Sequence, residues 1–488
     1  MPYHITLPTT SSVSLPSYLS SSSHPSLPHA ASTNRSVLRS LLKTHKRLPP
    51  PQQTSHLPNL QSALEAYLSY LLAIQAGLSG RPIASETIDI LLLNEPTSSW
   101  RPTLTAPSLP SRSPKRIKIT GLDAELAFVL TTLAYTHTQL ARSSLRTIHR
   151  AGIKPEGKTS AVTKAMKELL DAHAIHSFVA SRAQTAAGAA GAGAKSSGSS
   201  LLPLDLAAPV QSALAALALA EATLLPVVKE DPYPAALAEE RSSASTEWMV
   251  GTVKMAGVRA GLFARLCVMA GEHAGRAVGL LGQGGGGEGA AGKLDEGLVR
   301  YAQDLRRNAR AKACRFLGVD AEGRGEVGEA IGWLRGARRE LGGKVDEEGK
   351  NKGLGKLKRE WNGRKEDKKI EKGGDEWGLD AGKVEEERVV EWLEKKWCKV
   401  NDTMTFQIVP PHEPLIASLP SGREYHSPKP FHPPSLDEAT IAKMRAPPDP
   451  KEDHIEDEND DSDDENDQDP VGAFPGTAKR YSGNATYY

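Results

Sequence analysis

Two stretches of this 488-residue chain hold residue types that could do chemistry at close spacing. Gly287-Glu288-Gly289-Ala290-Ala291-Gly292-Lys293 fits the first seven positions of a phosphate-cradling loop, in which backbone amides and a lysine hold phosphate oxygens. Leu294 stands where a magnesium-binding hydroxyl is required, and the preceding pattern is helical rather than strand-like, so the match is read as a flexible loop. His173 and His176, beside Asp171, are three apart and share a helix face, the spacing of paired metal ligands. A metal centre needs further ligands from a second element. The nearest candidate, Glu272-His273, lacks a partner spacing, and the two histidines are read as partly exposed helix residues with no metal. Cys267, Cys314 and Cys398 are far apart and sit in no nucleophile or redox motif, which points to a reducing compartment. These residues predict a protein that is not an enzyme and takes no cofactor.

Composition sets what can surround them. Hydrophobic residues make up 39% and aromatics 5%, so Leu, Ala and Val must fill the core, which suits closely packed helices. The net charge of +1 conceals an asymmetry: residues 451–470 carry twelve acids and one base, and the remaining chain has 59 bases against 47 acids. A basic body with an acidic tail suits acidic partners or anionic surfaces. The first lysine is Lys43, and no basic region followed by an apolar run opens the chain, so no secretory signal is expected. Residues 201–228 are the most apolar tract, but Asp205, Pro209, Glu221 and Pro226 interrupt it, and it is read as a core helix rather than a membrane span.

The elements follow from periodicity. Arg116-Ile117-Lys118-Ile119-Thr120 alternates as a strand whose charges guard an edge, and a nuclear-entry reading of Pro114–Lys118 is the lesser one. Gly121 then leads into a helix with Leu122, Leu126, Val129, Leu130, Leu133, Leu140 and Leu145 on one face, and Asp123 and Glu125 at its positive end. Further helices are predicted over 34–47, 59–78, 160–184, 205–225, 244–281, 293–317, 324–341 and 384–400. Ala256, Ala260 and Ala264 mark a close-contact face, and Val389, Trp392, Leu393 and Trp397 an apolar one. Flexible inserts are expected at about 186–200, 282–292 and 342–383. From Asn401 the chain reads as Pro-rich and extended, and 446–488 as a disordered acidic tail containing the acid-flanked Ser462. Tyr233-Pro234-Ala235-Ala236-Leu237 reads as a turn opening a helix, with a short recognition peptide as the alternative. The predicted fold is mainly α, a curved, solenoid-like (TPR-like) domain over 1–435 with a small N-terminal β element.

Trp100, the strand, Leu122-Asp123-Ala124-Glu125 and Phe128-Val129-Leu130, followed by Leu133-Ala134 and Leu140-Ala141, resemble the Bro domain of Alix-type proteins. Val400-Asn401-Asp402-Thr403, Val409-Pro410-Pro411 and Leu419-Pro420 are similar to the way that domain closes. Met1-Pro2-Tyr3, Leu7-Pro8-Thr9-Thr10, Lys46-Arg47-Leu48-Pro49-Pro50 and Gly77-Leu78-Ser79-Gly80-Arg81-Pro82 look like the branch of that family serving fungal ambient-pH responses. The inserts depart from the pattern. The resemblance implies a cytoplasmic, non-enzymatic adaptor recruited to the plasma membrane or endosomal sites through its partners. It would link a plasma-membrane pH-sensor/arrestin-like complex to an ESCRT-III filament subunit and so promote proteolytic activation of a zinc-finger transcription factor, with no nucleic acid bound. It also implies a patch for the C-terminal amphipathic helix of that subunit at Leu224, Leu225, Met249, Thr252 and Met255, with Gly251 where the family has a larger residue. The other function class is a generic helical scaffold with nuclear or chromatin contacts, which steep salt-dependent nucleic-acid binding would mark.

Overall fold

A computed structural model describes residues 2–106, 114–148, 154–189, 203–242, 259–284, 293–343 and 378–447. The glycine loop at 287–293 up to Gly292, most of each predicted insert, and Ser462 lie outside these residues. Two units separate, Met1–Arg445 and Ala446–Tyr488. Every helix and strand among the described residues belongs to the first.

Five short strands form two antiparallel sheets: β1 (Thr9–Thr10), β4 (Thr97–Arg101) and β5 (Ile117–Thr120) in the order β1-β4-β5, and β2 (Leu19–Ser20) with β3 (Leu91–Leu92). In the larger sheet Trp100 lies opposite Thr10 on one side and Ile117 on the other. β5 is an edge strand, with Arg116 just before it and Lys118 on it both exposed, a charge arrangement that discourages pairing with another chain.

The helices are α1 (Ser26–Arg47), α2 (Pro50–Leu78), α3 (Leu122–Ile148), α4 (Pro155–Ala189), α5 (Ala208–Glu230), α6 (Tyr233–Ser242), α7 (Ala260–Gly284), α8 (Glu296–Gly323), α9 (Val327–Glu340), α10 (Lys383–Val400), α11 (His412–Ala417) and α12 (Glu438–Ala442). From α1 to α5, and then from α7 to α10, each helix packs on the next, and α5 joins α7 directly. This curved, TPR-like succession of helices is the predicted architecture.

Several boundaries differ from the periodicity reading, with identifiable causes. α1 begins at Ser26 rather than Asn34, with Pro28 tolerated in the first turn. Pro50 and Pro51 do not merely stop α1. They occupy the first turn of α2, where the missing N–H is an orphan donor anyway, so α2 starts nine residues before the predicted Asn59 and carries Pro58 in its interior. α5 runs on through Pro226 to Glu230. It is long and apolar enough to cross a membrane by composition, because Asp205 and Pro209 stand at or before its first turn. Its most apolar stretch is instead 83% buried, between α4 and α7. Of the predicted helix 244–281 only 259–281 is described; α7 runs on to Gly284, with Ala260 and Ala264 buried as expected.

After α10 the chain is not simply extended. A π-turn at Asn401–Thr405 ends with Phe406 in the left-handed region, φ 50°, and the strand-like strap beyond it carries α11 and α12. The strap lies on α9 where that helix shows only glycine: a Cβ at Gly332 would stand 2.8 Å from Leu415 Cδ1. It then crosses α7, where Gly422 fits against Met269, and Arg423 N–H donates to Arg265 O. Phe431 meets Phe178 edge-on at 5.5 Å, and Arg445 closes a two-pronged ion pair with Glu86, 2.6 and 2.7 Å.

Candidate functional site

The N-terminal framework converges on Glu125. Its carboxylate accepts from Arg35 Nε (2.9 Å), Tyr67 OH (3.3 Å), Ser98 Oγ (2.6 Å) and Trp100 Nε1 (2.7 Å), joining α1, α2, β4 and α3. Burial lowers the Arg35 guanidinium's proton affinity, but the neighbouring Glu125 charge outweighs it and the pKa rises. Trp100 stacks on Phe128, 5.1 Å between ring centres and 5° between planes. Glu125 is in the first turn of α3, as expected, and is also a buried anchor. Asp123 remains exposed and takes hydrogen bonds from Gln75 and Arg182.

The two histidines singled out by spacing do not share a ligand position. His176 is buried, not partly exposed, and its Nδ1 is 2.7 Å from Gln211 Oε1. His173 Nδ1 is 2.9 Å from the Ala215 carbonyl. Both rings serve the α4–α5 contact. Asp171 instead lies with His137 and Glu168, their ligand-type atoms within 4.8 Å of one another, and His137 Nδ1 is 2.7 Å from Glu168 Oε2. Cys267 and Cys314 are buried, and burial pushes both thiols up to about 12, the opposite of an activated nucleophile.

Of the five patch residues, Met249, Thr252 and Met255 lie outside the described residues. Leu224 and Leu225, 6% and 5% exposed, line a cavity of about 440 Å³. Leu145 and Ile148 of α3, Leu169 of α4, Val228 of α5, Leu237 of α6 and Leu305 of α8 extend its apolar wall. Val228 is 38% exposed.

Polar groups share the lining with these apolar ones. Glu221 accepts from Tyr301 OH at 2.5 Å and Tyr3 N–H at 3.3 Å, and burial raises its pKa. Asn308 Nδ2 donates to Ala381 O at 2.6 Å, while its buried Oδ1 has no partner among the described residues. Lys312 Nζ donates to Glu386 Oε2 at 2.5 Å. Arg315, behind it, bridges Glu386 and Asp231. Burial opposes all three charges of this cluster that shift. The surrounding opposite charges prevail, so Arg315 and Lys312 are raised and Asp231 is lowered. The cluster ties the end of α5 to α8 and α10. Tyr233 lies over Arg315 at 5.3 Å, and Tyr233-Pro234-Ala235-Ala236-Leu237 is the first turn of α6, a helix rather than an extended peptide.

A lining that combines apolar and polar groups suits a ligand that is itself amphipathic. Sequence reasoning named Leu224 and Leu225 but not Glu221, one turn earlier on α5, nor Tyr301, Asn308 and Lys312, which come from α8, remote in the chain.

No protein-family model matches the chain. It superposes on the structure of ALIX in complex with the SIVmac239 PYKEVTEDL late domain with a TM-score of 0.51 at 13% identity, covering 89% of this chain and 49% of that one. The helical row with its small N-terminal sheet is thus a Bro-type fold. In sequence the chain is 43% identical over 513 aligned residues to the pH-response regulator protein palC of Emericella nidulans, covering 98% of this chain and 99% of that protein. It is 36% identical over 151 residues to the palC protein of Cryptococcus neoformans, 30% of this chain and 29% of that one. The chain belongs to the palC family of pH-response regulators, Bro-domain proteins of the Alix type.

Proposed function

We propose that this protein is a non-enzymatic adaptor of fungal ambient, alkaline-pH signalling. It works in the cytoplasm, is recruited to the plasma membrane or endosomal sorting sites, and links a pH-sensor/arrestin-like complex to ESCRT-III. The outcome is proteolytic activation of a zinc-finger transcription factor by another protein. The observation that carries this reading is the 43% identity to the Emericella nidulans regulator along nearly the whole of both chains.

For the ESCRT-III contact the proposed surface is Leu224 and Leu225, with Met249, Thr252 and Met255. An amphipathic helix would set its apolar residues against the leucines of α3, α5 and α6 and leave its polar face to the Lys312 and Asn308 side. The test is a pulldown with the C-terminal helix of the ESCRT-III filament subunit. Wild type should bind, and Leu224→Asp, Val228→Asp and Met255→Asp should weaken binding. Because Leu224 is buried, the half-exposed Val228 serves as the variant that keeps the fold. Undiminished binding in Val228→Asp and Met255→Asp removes the site, and no binding by the wild type removes the mechanism.

A further inference from the structure

A second cavity, of about 140 Å³, lies between the N-terminal segment, the end of α1, the start of α2 and the last turns of α3. His4, His45, Lys46, Arg142 and Arg146 line it together with Thr54, and among the described lining residues there is no carboxylate. Its walls are held in place. Arg142 Nη1 donates to Pro2 O and Gln139 Nε2 to Ile5 O, both 2.6 Å, and Gln53 Nε2 bridges the His45 and Leu48 carbonyls. His45 is buried, with its Nδ1 lacking a hydrogen-bond partner. Burial, then the neighbouring His56 and His4, push its pKa down to about 4, so near neutral pH it is an uncharged ring with polar capacity to spare. The charge of Arg142 is shared with the buried Glu221.

Lys46 continues the cavity onto an exposed face of one sign. Arg39, Lys43 and Arg47 share α1 with it, and Arg101 of β4 and Arg116 before β5 stand close. Desolvation first, and then these arginines, draw Lys43 and Lys46 below the ordinary lysine range. Arg116 is lowered in the same way, by desolvation and then by Arg101 and Arg39. Among the described residues none of these six side chains has an acidic partner within 4.0 Å. A face that gathers so many like charges, with no acidic partner among the described residues, is suited to a polyanion.

We propose that this cavity is a binding site for phosphate esters, seating one phosphate group of a multiply phosphorylated ligand of the inositol-phosphate class while the α1 face takes the others. Room for about five waters suits one phosphate group and is too small for a nucleotide. Arginine forks match phosphate oxygens bidentately, and Thr54 adds a hydroxyl. The ligand can be soluble or the headgroup of a phosphorylated lipid.

Calorimetric titration with inositol hexakisphosphate, beside sedimentation with phosphoinositide vesicles and with phosphatidylserine vesicles of equal surface charge, tests this on the full chain. Wild type should bind the hexakisphosphate and prefer phosphoinositide over phosphatidylserine. Lys46→Glu and Arg146→Glu should each weaken binding about tenfold or more, and Arg39→Glu, on the face but not in the cavity, should weaken it less. The exposed Lys46 carries the test should Arg146→Glu fail to fold by circular dichroism. Binding to vesicles with none to the hexakisphosphate would locate the interaction in the membrane surface and overturn the proposal. So would equal losses in all three variants, equal affinity for nucleic acid, or no binding at all.

Discussion

Glu125 and Arg315 are the two side chains whose removal should be felt most widely. Each is a buried charge surrounded by partners from other elements, and taking it away leaves those partners buried and uncompensated. Glu125→Ala should lower unfolding stability by about 3–5 kcal/mol, read as a drop in the urea midpoint with an unchanged slope. Arg315→Ala should do the same by stranding Asp231 and Glu386, whereas the exposed Arg324→Ala should change little despite its own carboxylate neighbours. The importance of the stretch around Trp100 and Glu125 is legible in the sequence as a pattern. The convergence of residues 35, 67, 98 and 100 on one carboxylate is not, because it depends on strand register and helix rotation. Asp205 illustrates the same limit: it reads as an interruption of an apolar tract, yet it is buried and accepts from the Thr103 and Leu104 amides.

Among the elements, apolar periodicity finds the helices because each must bury a continuous stripe, and errors gather at prolines. Pro28, Pro50 and Pro51 lie in first turns that accept them, so chain taken for loop is helix. The glycine face of α9 is invisible to the same reasoning, since glycine in a helix reads as a weakness until something is found lying on it. Gly332→Val should clash with Leu415 and Pro410 and lift the strap from α9. Limited proteolysis should then cut within 406–420 much faster than in wild type, while Gly279→Val, with open space around it, should leave the digestion pattern unchanged. Equal resistance in the two variants would show that the strap is held by its other contacts alone.

Over the molecule as a whole, the buried histidines set an acid limit. His45 and His176 are both pushed down to about 4, each mainly by burial, so between the ordinary value of 6.5 and about 4 the unfolded chain binds protons that the folded chain refuses. Stability therefore falls as pH drops through that window, by up to about 3 kcal/mol for each ring. Asp231, lowered in the fold, adds a loss that begins near its ordinary value and deepens with further acidification. Melting temperature should decline steadily from pH 6.5 to 4.5, and a flat profile would contradict the assignment. A helical row is legible from sequence at this scale because neighbouring helices in the chain are neighbours in space. The two cavities are not: the larger is walled by residues from Pro2 to Arg388, and the smaller, though built from the N-terminal segment and the first three helices alone, depends on which way their side chains turn.

The strap also bears on how the protein comes to be made. Arg445 meets Glu86, and Phe431 meets Phe178, across hundreds of intervening residues. During synthesis α9 emerges from the ribosome well before Leu415, and the seat for Arg445 well before Arg445 itself. The helical row must therefore wait, with a bare glycine seam, until nearly the whole body has been translated. A chaperone that shields that seam would govern the yield of finished protein, and messages truncated near codon 400 should give product that reaches the helical state and then aggregates.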